Sequence, residues 1–153
     1  MANTYSQIYI QAVWAVKYRA AVIEKSWQSE LFAVIGNIIN DQGCKTFIVN
    51  GVQDHIHCFF GLKPAVSVSS LMKNVKGLSS KWINQSGFCN SHFDWQVGYG
   101  AFSYAHSQRD HVYKYVQNQE AHHRKQTLRQ EYLKMLQKFE VPYDERYLFH
   151  ELI

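Results

Sequence analysis

The order of six segments constrains this chain more than any single residue does. Residues 4–16, TYSQIYIQAVWAV, are rich in β-branched and aromatic side chains with partial alternation, the composition of a strand packed in a sheet. The next segment, SWQSELFAVIGNIINDQG, brings Leu31, Ile35, Ile38 and Ile39 to one side of a helix, with Ser26 placed to cap its start and Gly43 just past its end. Two short strands follow, TFIVN at 46–50 and HIHCFFGLK at 55–63, joined by the turn-like GVQD and expected to pair as a hairpin. In SVSSLMKNVKGLSSKWINQSG, Val68, Leu71, Met72, Val75, Leu78 and Trp82 form the apolar stripe of a second helix, with Lys73, Lys76 and Lys81 largely off it. FDWQVGYGAFSYAHS at 93–107 reads as strand again, and Gly98 and Gly100 suggest a bulge or a close backbone approach.

Strand, helix, strand, strand, helix, strand is the split βαββαβ order of a ferredoxin-like α+β domain, whose four strands make one antiparallel sheet. A single domain over residues 1–153 is expected, because 46% hydrophobic and 15% aromatic residues suffice for one packed core and no repeat or linker divides the chain. Beyond the sheet, Ser107 with Asp110 resembles a helix-capping box, and a helix is expected to run to about Lys125. Another, from about Leu128 to Phe139, carries Leu128, Tyr132, Leu136 and Phe139 as its stripe and ends at Pro142. The tail YDERYLFHELI shows no readable pattern.

Cys44, Cys58 and Cys89 are odd in number and lack CxxC spacing, so they indicate neither a disulfide framework nor a cysteine zinc site, and they suit a reducing compartment. No run approaches the roughly 20 apolar residues that span a bilayer, and the first residues do not read as a secretory leader. The expectation is a soluble, cytoplasmic protein with no membrane partner. A net charge of +4 permits nucleic-acid binding without requiring it.

Residues 53–61, QDHIHCFFG, put two histidines inside an apolar and aromatic strand. Alternation sends His55 and His57 to one face and Ile56, Cys58 and Phe60 to the other. By itself such a pair fits two core histidines, each hydrogen-bonded to a neighbour, better than a metal site lacking its third ligand. A second feature weighs against that account. In HVYKYVQNQ at 111–119, Val112, Tyr115, Val116 and Gln119 fall on one helical face. A glutamine on an apolar stripe needs a polar partner, since an unpaired buried amide costs about 1–3 kcal/mol. A metal ion held by His55 and His57 would be one.

Together these features resemble the single-tyrosine transposases of the HUH superfamily, the TnpA-type enzymes of insertion sequences that move as single-stranded DNA. The likeness rests on His55-Ile56-His57 preceded by Asp54, and on Tyr115 followed by Gln119 at i+4. VWAVKYR at 13–19, KGLSSKW at 76–82 and WQVGYGAFSYAHS at 95–107 support it. Tyr113 competes for the nucleophile's place but lies about 200° round the helix from Tyr115 and has no glutamine at i+4.

The resemblance implies that Tyr115 attacks a DNA phosphodiester, leaving a 5′-phosphotyrosine link and a free 3′-hydroxyl. It also implies a divalent metal, Mg²⁺ or Mn²⁺, on His55, His57 and Gln119, whereas ligand type alone would also admit zinc, nickel or cobalt. Its partners would be single-stranded DNA with a hairpin at the element ends and a second copy of the chain sharing the active sites. Candidate DNA-binding cations are Lys17, Arg19, Lys73, Lys76, Lys81, Arg109 and Lys114, and each alone also fits a solvated surface. His122, His123, Arg124 and Lys125 fit the cationic end of a helix better than a phosphate contact. Rival readings are a host-resident relative acting on repeated palindromes, a non-catalytic nucleic-acid-binding module, and a metal-dependent hydrolase with a water nucleophile. Gln119 counts against the module and Tyr115 against the hydrolase.

Overall fold

The structure, a computed structural model, describes residues 3–144, 146 and 148. Its elements are β1 (Tyr9–Ala15), α1 (Lys25–Asp41), β2 (Lys45–Val52), β3 (His55–Gly61), α2 (Val68–Ser86), β4 (Gly100–Tyr104), α3 (Arg109–Gln117), α4 (Gln119–His123) and α5 (Leu128–Lys138). The strands form one antiparallel sheet in the order β2-β3-β1-β4, as expected of a ferredoxin-like α+β domain.

Strand alternation sorts the core into two layers. Ile10, Ala12 and Trp14 of β1 and Ile56, Cys58 and Phe60 of β3 pack with Leu31, Ile35 and Ile39 of α1 and Leu71, Met72 and Val75 of α2. On the opposite face, Val13, Ala15 and Phe102 pack with Leu128, Met135 and Leu136 of α5, while Tyr9 and Phe59 pack with Val112 and Val116 of α3. Both sides of the sheet are therefore covered, and the histidine face lies beneath the C-terminal helices.

Several boundaries differ from the sequence reading for physical reasons. β1 begins at Tyr9, since β3 ends opposite it at Gly61 and β4 at Tyr104. Glu24 stands at the N-cap of α1 without a side-chain bond, so Ser26 lies inside the first turn. The hairpin turn is Gln53-Asp54 alone, because Gly51 and Val52 continue the ladder against Ile56 and His55. In α2 the buried stripe runs through Ser79 and Ile83 and leaves Leu78 exposed, with the Ser79 hydroxyl accepting a hydrogen bond from Trp95 Nε1 at 2.9 Å. The final strand is only five residues long, since Gly98 turns the chain at φ 94° before Gly100. Ser107 makes no cap: the side chain of Gln108 instead accepts from the Ala105 N–H at 3.0 Å. The helix expected to reach Lys125 breaks at Asn118, and α5 ends at Lys138, where Phe139 caps it and Glu140 turns at φ 53° well before Pro142. Of the unassigned tail, Leu148 is buried against α5, and residues 145, 147 and 149–153 lie outside the described set.

Gly51 tests the hairpin that carries the histidines. A Cβ there would stand 2.4 Å from the His55 carbonyl oxygen. Gly51→Ala is expected to lower stability by about 1–3 kcal/mol, the usual cost of forcing atoms into packed structure. Gly77→Ala, on an open face of α2 with nothing within 4 Å, is the control and should be neutral or stabilising. Urea denaturation followed by circular dichroism separates the two.

Candidate active site

His55 and His57 are wholly buried, opposite Ala15 and Val13 of β1. Those small neighbours leave the space above the strand to the imidazoles and to groups from the helices. The Nδ1 of His55 lies 2.7 Å from Asp54 Oδ1, which leaves Nε2 as the nitrogen facing the helices. Burial lowers the His55 pKa to about 4 despite that bond, and the nearby His57 and His123 push the same way. The Nδ1 of His57 lies 3.1 Å from the Gln11 amide, whose oxygen accepts a 2.9 Å bond from the Tyr104 hydroxyl. His55 thus donates its far N–H to a carboxylate, the arrangement that supports a metal-ligating imidazole, whereas the Gln11 amide donates to His57 Nδ1 and fixes that ring's orientation.

α3 lays Tyr115 over this face, its ring 6.1 Å from that of His57 and 4.6 Å from that of His122. Its hydroxyl donates to Glu131 Oε2. Burial, and then the charge of Glu131, raise the phenol pKa far above its ordinary value. Although Asn118 breaks the helix, Gln119 keeps its place: it is fully buried and its amide donates to the Tyr115 carbonyl at 3.3 Å. Its Oε1 has no hydrogen-bond partner. A buried amide oxygen without a donor is the kind of group that a divalent cation site of N and O donors would satisfy.

Two residues not among the expected ligands join the site. Glu131 of α5 places Oε1 at 2.9 Å from His57 Nε2 and 3.2 Å from His123 Nε2. His123 Nε2 lies 3.0 Å from His55 Nε2. Burial opposes the Glu131 charge, but His57 and hydrogen bonds from His123, His57 and Tyr115 outweigh it and hold the carboxyl well below its usual range. One ligand atom from each of His55, His57, His123 and Glu131 lies within 4.8 Å of every other. Beside them opens a cleft of about 620 Å³ whose walls include Asp54, His123, Lys25, Arg124 and Thr127.

The sequence of residues 4–119 matches the IS200-like transposases. The chain belongs to that family. As an IS200-like transposase it shares its fold with a crystal structure described as a transposase from Deinococcus radiodurans R1, at 19% identity over 78% of this chain and 95% of the other, with a TM-score of 0.61. A REP-associated tyrosine transposase bound to a REP hairpin is similar at 13% identity over 77% of this chain and 70% of that one, with a TM-score of 0.57. Among curated proteins, none matches. The family match closes on Gln119, so it takes in His55, His57 and Tyr115 and leaves His123 and Glu131 outside.

The proposed DNA-binding cations of this transposase are dispersed. Lys17, Lys73, Lys81, Arg109 and Lys114 are exposed, and Lys73 and Lys81 ride on α2, across the sheet from Tyr115. Lys76 is half-buried and donates at 2.7 Å to the carbonyls of both Gln96 and Gly98, so it fastens the loop before β4. The side chain of Arg19 lies outside what is described. Tyr113 is exposed on the other side of α3. Among the described residues, no helix is long and apolar enough to cross a membrane, and all three cysteines are free thiols.

Proposed function

We propose that the chain is a DNA transposase that cleaves single-stranded DNA at insertion-sequence ends and rejoins it through a 5′-phosphotyrosine at Tyr115. One observation carries this reading: the Tyr115 hydroxyl and the His57 imidazole meet on the two oxygens of one buried carboxylate, that of Glu131. Nucleophile and histidine pair therefore share one site. Tyr115 Oη gives up its proton and bonds to phosphorus, the bond from phosphorus to the 3′-oxygen breaks, and that oxygen takes up a proton and departs as a free hydroxyl able to reverse the step. The Tyr115 hydrogen already points at Glu131 Oε2. Mg²⁺ or Mn²⁺ on His55, His57 and Gln119, when bound, would polarise the scissile phosphate. Asp54 and Gln11 fix the orientation of the two imidazoles, both of them buried.

Hairpin-forming single-stranded DNA is the proposed substrate, met by Lys17, Arg19, Lys73, Lys81, Arg109 and Lys114. The similarity to a hairpin-bound relative supports this. It also supports the second reading, a host-resident enzyme acting on repeated palindromes, which differs only in the DNA around the gene. Filter binding at matched salt should give tighter binding to hairpin single strands than to random duplex, with affinity falling as salt rises. Equal binding to both would overturn the substrate assignment.

A homodimer is proposed with this function, in a cytoplasmic setting that suits the free thiols. In the structure α3 packs on β2 and β3 of its own chain, so exchange of tyrosine helices would replace one set of contacts by an equivalent one. Sedimentation should show a dimer at micromolar concentration. A monomer that still cleaves would remove the dimer from the mechanism.

A further inference from the structure

We infer that His55, His57, His123 and Glu131 form a closed four-donor site for a tetrahedral cation of the Zn²⁺ class, distinct in coordination from the open site that cleavage needs. The inference rests on the proposed placement of a metal at the histidine pair and adds two ligands from beyond the family match. Four ligands at zinc's usual distances of about 2.0–2.2 Å stand roughly 3.3 Å from one another in a tetrahedron. Here three of the six separations are already close to that: 3.0 Å between His55 Nε2 and His123 Nε2, 2.9 Å between His57 Nε2 and Glu131 Oε1, and 3.2 Å between His123 Nε2 and Glu131 Oε1. The remaining separations are within 4.8 Å.

The donor chemistry agrees. Three imidazoles and one carboxylate oxygen are ordinary zinc ligands, whereas magnesium binds oxygen and keeps several waters. Asp54 accepts from the other ring nitrogen of His55, which leaves His55 Nε2 free to hold a cation. Three of the donors are buried and the His123 side chain is only 12% exposed, so a cation held by all four would meet little water.

Function follows from coordination number. A tetrahedral ion with four protein ligands has no position left for a phosphate oxygen, and Glu131 binds the Tyr115 hydroxyl with its second oxygen. The closed form is therefore a resting state in which α4 and α5 occupy the site from inside the chain. Cleavage requires His123 and Glu131 Oε1 to release the ion, with Glu131 Oε2 keeping its bond to the Tyr115 hydroxyl, and Gln119 Oε1, now without a partner, to take over.

Cobalt(II) titration of the full chain tests this, since four-coordinate cobalt absorbs visible light far more strongly than six-coordinate cobalt. The wild-type chain should bind one Co²⁺ with an intense spectrum that added Zn²⁺ erases. His123→Ala and Glu131→Gln should each weaken the spectrum severalfold and lower Zn²⁺ affinity by at least about 10-fold. His123→Ala decides alone if Glu131→Gln does not fold. Weak six-coordinate absorption in the wild-type chain, or spectra unchanged in both variants, would overturn the closed site and leave the histidine-pair metal standing. Undiminished cobalt binding in His57→Ala would instead overturn the metal placement itself.

Discussion

Tyr115→Phe is expected to fold, to bind hairpin DNA as the parent does and to form no covalent DNA adduct. The substitution removes one hydroxyl, which donates a hydrogen bond to Glu131. Glu131 keeps its bonds to His57 and His123, so the cost in stability should be about 1 kcal/mol, that of one hydrogen bond. The cost in reaction is of another order. Without a nucleophilic oxygen there is no phosphotyrosine, and losses for other covalent nucleophiles reach about 10⁶-fold. Tyr113→Phe is the matched control: its ring is exposed, away from the histidines, and adduct formation should stay near the parent level. A denaturing gel that resolves protein-linked DNA reads both variants. An adduct in Tyr115→Phe, with none in Tyr113→Phe, would move the nucleophile two residues upstream.

His55→Ala and His57→Ala should each abolish metal-dependent cleavage. Loss of a group that merely orients a metal ligand costs roughly 10–100-fold, and a ligand itself costs more. His57 carries the larger expected effect, because it contacts Glu131 as well as Gln11, and its removal frees the carboxylate that holds Tyr115. Gln119→Ala should lose less, since water can fill the vacated position. Cleavage of hairpin DNA at increasing Mg²⁺ or Mn²⁺ measures the series. Full activity in either histidine variant would exclude the pair from the chemistry.

The histidine pair and the tyrosine face were legible because both rest on simple periods. A two-residue alternation put His55 and His57 together, and a 3.6-residue period put Tyr115 and Gln119 together even though the helix breaks between them. Glu131 escaped notice for a related reason. Leu128, Tyr132, Leu136 and Phe139 make a satisfactory apolar stripe, and a glutamate beside it reads as solvated. Leu128 and Leu136 of that stripe are buried as expected, but Glu131 and Met135 are buried with them, and a carboxylate in that position carries the same signal as Gln119, a polar group that must find a partner. His123 was masked by its setting, since a histidine next to arginine and lysine looks like the cationic end of a helix. The helix breaks at Asn118, and the short α4 that follows ends on His123, whose Nε2 lies 3.0 Å from that of His55. Lys76 looked like one of several free cations, and its two bonds to the Gln96 and Gly98 carbonyls depend on a loop path that local pattern does not encode.

The most direct test of the central claim is to find the covalent bond. The wild-type chain, incubated with single-stranded element ends and Mn²⁺, digested and analysed by tandem mass spectrometry, should yield a peptide carrying a 5′-phosphonucleotide on Tyr115. The same mass on Tyr113 would contradict the assigned nucleophile, and cleaved DNA with no modified tyrosine would contradict the tyrosine mechanism.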